Sequence, residues 1–211
     1  LPVDPYVDNA YFECFEKMDK AVQSGMADMV LMGITPSYPS AKYGYILCDE
    51  ADGARKVVGF KEKPDEQTAQ KLIDDGALWN AGVFAFKLGY IQQITMNYLE
   101  RTDFSTVLDN YRELKKDSFD YEVVEKTSSL AVVTYDGQWK DIGTWNTLTE
   151  VMDEQAIGDV VMGENCENTH VVNELSIPVV AVGTKNLVIA ASPDGILVSD
   201  KQKISYLKPH V

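Results

Sequence analysis

Residues 28–34, Asp-Met-Val-Leu-Met-Gly-Ile, form a short apolar run behind a single acid. An apolar run of this length that leads into a polar loop, here residues 35–42, is typical of a buried strand. On its N-terminal side, apolar side chains recur at three- and four-residue steps through residues 9–24, which predicts an amphipathic helix that stops at Gly25. A helix beside a buried strand is a building unit of layered folds, so this stretch indicates the α/β class.

Further strands and helices alternate as far as residue 155. The predicted strands are 45–48, 57–61, 81–86 and 130–135, and the predicted helices are 66–75, 88–97, 118–125 and 145–152. After residue 156 the pattern changes to short strands separated by turns, at 178–182, 187–191, 196–199 and 203–207, as in a small β-domain or solenoid cap. We therefore expect two domains, 1–156 and 157–211.

Charge and composition limit the classes of function. The 211 residues contain 19 Lys and Arg against 33 Asp and Glu, a net charge of -14. Nucleic acid and anionic membrane surfaces would repel such a chain, so neither is expected as a partner. The three cysteines form no C-x-x-C pair, which favours reduced thiols and a cytoplasmic location. Six bases lie within residues 41–71, so an anionic ligand is expected there.

Two segments in the first domain carry polar groups suited to a sugar phosphate. Gly-Phe-Lys-Glu-Lys-Pro at 59–64 ends a strand with Glu62 and Lys63 side by side, a carboxylate for hydroxyls and an ammonium for a phosphate. Composition alone favours a plain surface turn. In Trp-Asn-Ala-Gly at 79–82, Asn80 offers a donor and an acceptor among small neighbours. The alternative is a helix-to-strand connection with a core tryptophan.

Acids also stand at the ends of strand-like segments. Asp141 lies just before a predicted helix and beside Gly143, where close backbone approach is easy, although capping that helix is the commoner use of such an acid. Asp4 ends the first strand-like segment, and taken alone it would be a loop residue. Residues 118–126 have the pattern of an ordinary helix capped by Ser118.

Taken together and in this order, the segments resemble those of the sugar-1-phosphate nucleotidyltransferases, most closely the mannose-1-phosphate guanylyltransferases. The resembling residues are Pro2-Val3-Asp4, Tyr43-Gly44-Tyr45, Phe60-Lys61-Glu62-Lys63-Pro64, Trp79-Asn80-Ala81-Gly82, Ser118-Phe119-Asp120-Tyr121 and Trp139-Lys140-Asp141-Ile142-Gly143-Thr144-Trp145. Each motif is weak alone, but six in the family's order over nearly the whole chain are a strong match.

The resemblance implies a partial Rossmann-like nucleotidyltransferase domain of the α/β class, followed by a small β-rich, β-helix-like domain. It implies the reaction of GTP with mannose 1-phosphate to give GDP-mannose and pyrophosphate, with Mg²⁺ as cofactor. The family's Gly-rich, basic nucleotide loop is absent from this sequence. We therefore expect the chain to be the C-terminal portion of such an enzyme and to be inactive alone.

The resemblance also assigns roles to individual residues. It implies that Lys63 holds the sugar phosphate, that Glu62 and Asn80 bind sugar hydroxyls, and that Asp4 and Asp141 bind the metal. The substrate-binding set is completed by Tyr43, Gly44 and Gly82, and the catalytic set is Asp4, Lys63 and Asp141. A non-catalytic sugar-phosphate or sugar-nucleotide binding module, or the same reaction with another hexose, remains an alternative. The oligomeric state stays open, with a homodimer as one option.

Overall fold

The computed structural model describes residues 1–99 and 103–204. Its helices are α1 (Ala10–Gln23), α2 (Glu66–Asp74), α3 (Leu88–Leu99), α4 (Phe104–Asn110) and α5 (Trp145–Thr149), with a 3₁₀ turn at Tyr111–Glu113 and a π-helical turn at Asp120–Val124. Its strands are β1 (Pro5–Val7), β2 (Met29–Ile34), β3 (Tyr45–Cys48), β4 (Ala54–Lys61), β5 (Leu78–Phe86), β6 (Leu130–Tyr135), β7 (Trp139–Asp141), β8 (Ala156–Ile157), β9 (Val160–Met162), β10 (His170–Asn173), β11 (Val179–Ala181), β12 (Leu187–Ser192) and β13 (Gly195–Asp200). None of the helices in these ranges is long and apolar enough to cross a membrane.

The chain divides into two compact units by its internal contacts. The first unit comprises Leu1–Pro2 and Asp8–Gly137, and the second comprises Val3–Val7 and Gln138–Val211. The physical reason is the antiparallel pairing of β1 with β7, which ties the start of the chain to the segment around residue 140. The division into domains 1–156 and 157–211, which follows the change in strand pattern, stays a prediction.

In the first unit, five strands close into a barrel in the order β2-β5-β3-β4-β6. Every residue of β2 is buried, so the strand predicted from the apolar run is confirmed. Gly33 is needed in this strand, because a Cβ at that position would lie 2.6 Å from Leu78 Cδ1 and 2.8 Å from Val132 Cγ2. Helix α1 packs its buried residues Tyr11 and Met18 into the core of this unit.

The pairing within this barrel is mixed. Strands β2 and β6 are parallel, whereas β2 with β5, β5 with β3, β3 with β4, and β4 with β6 are antiparallel. A Rossmann-like sheet is mostly parallel, so the described sheet departs from that expectation. A short connection accounts for one of the antiparallel pairs: β3 and β4 are joined through a turn at Gly53, whose φ of 82° suits glycine. The broader prediction of an α/β fold is confirmed.

The second unit is rich in short strands, as predicted. Strands β8, β10 and β12 pair in parallel, and so do β9 and β11, so that successive strands alternate between two sheets. Strand β13 is antiparallel to β12. Residues 201–204 form a turn, so the strand expected at 203–207 does not begin at Lys203, and residues 205–207 lie outside the described residues.

A buried cation lies inside the second unit. Lys201 is 6% exposed, and its Nζ lies 2.8 Å from His170 Nδ1 and 2.8 Å from Asn168 Oδ1. Because an ammonium group can only donate, Nδ1 of His170 is the acceptor and Nε2 carries the proton. Burial lowers the pKa of both Lys201 and His170. His170 is therefore a buried residue at the start of β10, which its sequence context did not indicate.

Candidate functional site

Three of the predicted sugar-binding residues meet at one place in the first unit. Strand β3 pairs with both β4 and β5, and its Tyr45 lies opposite Lys61 on one side and Trp79 on the other. This register brings the residues next to those positions, Gly44, Glu62 and Asn80, together. A Cβ on Gly44 would lie 2.5 Å from Glu62 Oε2 and 3.3 Å from Asn80 Cβ. We call Gly44, Glu62, Lys63 and Asn80 the Glu62 cluster.

Glu62 is a buried residue whose two carboxylate oxygens have different surroundings. The residue is 5% exposed, Oε1 lies 3.0 Å from Lys63 Nζ, and Oε2 has no hydrogen-bond partner within residues 1–99 and 103–204. Burial raises the pKa of Glu62, and the hydrogen bond from Lys63 opposes this effect. A buried acceptor without a partner costs about 1–3 kcal/mol. An oxygen of this kind is suited to accept a hydrogen bond from a ligand hydroxyl.

Lys63 has an unusual backbone. Its φ is 43°, in the left-handed region that residues other than glycine seldom occupy. Such conformations cost on the order of 1–3 kcal/mol and gather at functional sites. The hydrogen bond to Glu62 raises the pKa of Lys63, so the ammonium stays charged, while half of the side chain remains exposed. The residue therefore presents a fixed positive charge beside the free oxygen of Glu62.

Asn80 lies inside strand β5 and is held at both ends of its amide. Its Nδ2 donates to Asp120 Oδ1 at 2.8 Å, and its Oδ1 accepts from the backbone N–H of Gly82 at 3.0 Å. The alternative of a helix-to-strand connection at this position is therefore wrong. Because the N–H of Gly82 is used within the protein, this residue's contribution to the cluster is to orient Asn80. Its φ of 69° is another reason for glycine there.

Two acids that the sequence left in an ordinary helix also contact the cluster. Asp120 holds Asn80, and Glu125 Oε1 accepts from the backbone N–H of Glu62 at 3.0 Å. Ser118 Oγ accepts from Tyr121 N at 3.3 Å, as expected for a cap, but the next turn is π-helical. The sequence signal was the acid in Ser-Phe-Asp-Tyr, which spacing alone does not distinguish from a surface residue.

Tyr43 forms part of an aromatic group next to Gly44. Its ring centroid lies 4.9 Å from that of Trp79, and the ring of Tyr38 lies 5.0 Å from Trp79 on an edge-to-face approach. Trp79 itself is 4% exposed and belongs to the core. Tyr43 is only partly buried. It can therefore offer an aromatic edge to a ligand at the cluster.

Asp4 and Asp141 belong to the second unit. Asp141 ends β7 opposite Pro5, so Asp4 lies one residue away from the strand partner of Asp141, and both acids are exposed. The side chain of Asp141 accepts from Gly143 N at 2.9 Å, whereas Thr144 caps helix α5. The alternative in which Asp141 caps this helix is therefore wrong.

The chemical type and the number of these two carboxylates suit a hard cation. Carboxylate oxygens suit Mg²⁺, which commonly takes one or two protein carboxylates and completes its shell with phosphate oxygens and water. Among the residues that the structure describes, no group of three or more His, Cys, Asp or Glu side chains could hold a metal. A dedicated all-protein cage is therefore absent from the described ranges, and binding by Asp4 and Asp141 stays a prediction.

Comparisons with known proteins identify the family. The model of the nucleotidyl transferase family matches residues 1–156. A mannose-1-phosphate guanylyltransferase of Klebsiella pneumoniae is 32% identical over 209 residues, covering 87% of this chain and 44% of that protein. The xanthan biosynthesis protein XanB of Xanthomonas campestris pv. campestris (strain B100) is 30% identical over 230 residues, covering 99% of this chain and 49% of that protein.

A solved structure is similar along the whole chain. The crystal structure described as mannose-1-phosphate geranyltransferase from Thermus thermophilus superposes with a TM-score of 0.78 at 28% identity, covering 100% of this chain and 67% of that one. The chain spans about half the length of the curated relatives it matches. The family predicted from the six motifs is confirmed: the chain belongs to the nucleotidyl transferase family, among the sugar-1-phosphate nucleotidyltransferases.

Proposed function

We propose that this chain contributes the sugar-phosphate side of a mannose-1-phosphate guanylyltransferase, which forms GDP-mannose and pyrophosphate from GTP and mannose 1-phosphate. The observation that carries the proposal is the unpaired, buried Oε2 of Glu62 beside the charged, half-exposed Lys63. One group accepts from a sugar hydroxyl and the other neutralises a phosphate. The names of the relatives support mannose and guanylyl as the specific groups.

The reaction needs little chemistry from the protein itself. An oxygen of the sugar phosphate attacks the α-phosphorus of the nucleotide in line, a new P–O bond forms, and pyrophosphate leaves with the electron pair of the broken P–O bond. No covalent bond to the protein is required. Catalysis then depends on holding the attacking phosphate in place and on neutralising charge. Lys63 serves both needs, and its fixed backbone and ion pair with Glu62 limit its freedom before substrate arrives.

Sugar recognition is assigned to the hydrogen-bonding groups that Glu62 and Asn80 still have available. Glu62 Oε2 accepts from one hydroxyl, and Asn80 Nδ2 has a second hydrogen after its bond to Asp120. Asp4 and Asp141, both in the second unit, are proposed to hold Mg²⁺ between the paired strands β1 and β7, where the cation would supply positive charge.

The β-rich second unit is proposed to be β-helix-like. Parallel pairs join β8 with β10, β10 with β12 and β9 with β11. In a β-helix, stacked turns of the chain place successive strands alternately in two parallel sheets. The antiparallel β13 then ends the stack by occupying the free edge of β12.

The test is a panel assay of the full-length protein. Pyrophosphate release is measured with GTP, ATP, UTP and dTTP against mannose 1-phosphate, glucose 1-phosphate and galactose 1-phosphate. The expected result is the highest kcat/KM for GTP with mannose 1-phosphate. Highest activity with another hexose 1-phosphate would change the assigned sugar but would leave the assigned reaction unchanged. Calorimetric binding of a sugar phosphate or nucleotide sugar without pyrophosphate release for any pair would instead favour a non-catalytic binding module.

Gly44→Ala should weaken mannose 1-phosphate binding by about tenfold or more, because the loss of a hydrogen bond to a charged group costs about 1.5–3 kcal/mol. The new methyl group would lie 2.5 Å from Glu62 Oε2 and would force that carboxylate out of place. The same methyl group would lie 3.0 Å from Phe60 Cζ, so the thermal midpoint is measured beside the affinity to separate a loss of stability from a loss of binding. Gly89→Ala in α3 is the matched control, because its Cβ would meet nothing within 4 Å. Equal affinities of the two variants, measured by calorimetry, would contradict the assignment of Glu62.

A further inference from the structure

We propose that Asp120 is a positioning residue that determines which hexose 1-phosphate the cluster accepts, by fixing which end of the Asn80 amide faces the sugar. The inference rests on the proposed function, because it assigns the selectivity of that same site. Asp120 itself need not touch the substrate. Its carboxylate acts through the 2.8 Å hydrogen bond from Asn80 Nδ2.

The amide of Asn80 could be turned either way on shape alone. Its oxygen only accepts and its nitrogen only donates, so a half-turn about χ2 exchanges the two roles with almost no change in volume. Two neighbours of opposite kind remove this freedom. The backbone N–H of Gly82 can only donate and holds Oδ1, whereas the carboxylate of Asp120 can only accept and holds Nδ2. The bond to the charged Asp120 is the stronger of the two constraints.

The fixed amide and Glu62 then form a donor–acceptor pair. Both residues border Gly44, whose missing Cβ would contact each of them. Asn80 Nδ2 has one N–H beyond its bond to Asp120, which the inference assigns as the donor to the sugar, and Glu62 Oε2 is an acceptor without a partner among the described residues. A sugar whose hydroxyls match this pair gains two hydrogen bonds, whereas an epimer that reverses one hydroxyl leaves a buried group unpaired. Sites of this kind discriminate strongly for that reason.

The π-helical turn explains why Asp120 and Glu125 can serve the same cluster. In an α-helix, residues five apart are rotated by about 140° and point to different sides. Here the N–H of Glu125 bonds to the carbonyl of Asp120 at 2.9 Å, the i→i+5 pattern of a π-turn. The two acids therefore reach neighbouring targets, the side chain of Asn80 and the backbone of Glu62. Such turns occur often at functional sites.

The pKa shifts of Glu62 and Lys63 support the position of Asp120 next to the cluster. Burial is the main reason for the raised pKa of Glu62, and Asp120 adds to it. The hydrogen bond to Glu62 is the main reason for the raised pKa of Lys63, and Asp120 contributes there as well. Asp120 is therefore close enough to influence both charged members of the cluster.

The test compares two C2 epimers in the full-length protein. Affinities for mannose 1-phosphate and glucose 1-phosphate are measured by calorimetry for the native protein, Asp120→Ala and Asp117→Asn. Asp117 is the control, because it lies three residues earlier and pairs with Lys115 rather than with Asn80. For Asp120→Ala we expect mannose 1-phosphate affinity to fall about tenfold and the ratio of the two affinities to approach one. The control should keep the native ratio.

A second variant separates positioning from stability. In the double variant Asn80→Asp/Asp120→Asn, the hydrogen bond between the two side chains is kept with its direction reversed, so the thermal midpoint should stay near the native value. The expected result is still a loss of the epimer preference, since a carboxylate in place of the Asn80 amide cannot donate to the sugar. An unchanged ratio in either variant, or a native protein without epimer preference, would overturn the inference while leaving the proposed reaction intact. If the native protein binds no hexose 1-phosphate, the proposed function itself fails.

Discussion

Replacing Lys63 with alanine is expected to weaken mannose 1-phosphate binding by roughly 30- to 150-fold, the equivalent of about 2–3 kcal/mol for a charge-assisted phosphate contact. Lys61→Ala should change the same affinity less than threefold. The two lysines are two residues apart, and strand alternation would place both side chains on one face. The structure separates them: β4 ends at Lys61, and Lys63 follows with a φ of 43°.

The Lys63 variant needs a stability control, because it also removes the partner of a buried carboxylate. Without Lys63, both oxygens of Glu62 lack a hydrogen-bond donor among the contacts that the described residues show. Lys63→Gln keeps a donor near Glu62 and removes only the charge. If Lys63→Gln binds as weakly as Lys63→Ala while its thermal midpoint stays native, the charge is what holds the phosphate. Equal Michaelis constants for the Lys61 and Lys63 variants would refute the role of Lys63.

Elements with a strong local signal could be predicted from the sequence. The buried strand β2 and the strand β6 follow from apolar runs, and helix α2 was predicted at 66–75; in the structure Asp65 caps α2 by accepting from Thr68 N at 2.8 Å. The strand that contains Asn80 was harder to predict, because asparagine is uncommon in strands and the residues before it resemble a connection between two elements. Pairing of β5 with β3 and β2 overrides that local preference.

The sequence predicts which residues form the candidate site, but it does not predict which residues hold them in position. Glu62, Lys63 and Asn80 stand in quoted motifs, and the register of β3 brings them together. The roles of Asp120 and Glu125 depend on a π-turn, and one extra residue in a turn leaves no clear trace in a periodicity of 3.6. The unit boundary at residue 137 depends on the pairing of β1 with β7, a contact between distant segments that composition does not report.

Asp141→Asn is expected to lower kcat/KM for pyrophosphate release by at least about 100-fold, since a metal bound at the phosphates contributes several kcal/mol of charge stabilisation. The pairing of Pro5 with Asp141 puts Asp4 and Asp141 in neighbouring chain segments although 137 positions separate them in sequence. Two carboxylates held close together repel each other, and a divalent cation removes that conflict. Because Asp4 precedes the first paired residue of β1, strand alternation does not fix the direction of its side chain.

A readout independent of turnover decides whether these two acids share one ion. Binding of Mn²⁺ as a substitute for Mg²⁺ is followed by water proton relaxation in the native protein, Asp4→Asn, Asp141→Asn and the double variant. Joint ligation predicts that each single change removes most of the Mn²⁺ binding and that the double change adds little, since ligands of one ion are not additive. Asp153→Asn is the control, an exposed acid of the same unit. If Mn²⁺ affinity is native in both single variants, or if the two losses simply add, Asp4 and Asp141 do not hold a common metal, and the charge of the phosphates must be balanced by other groups.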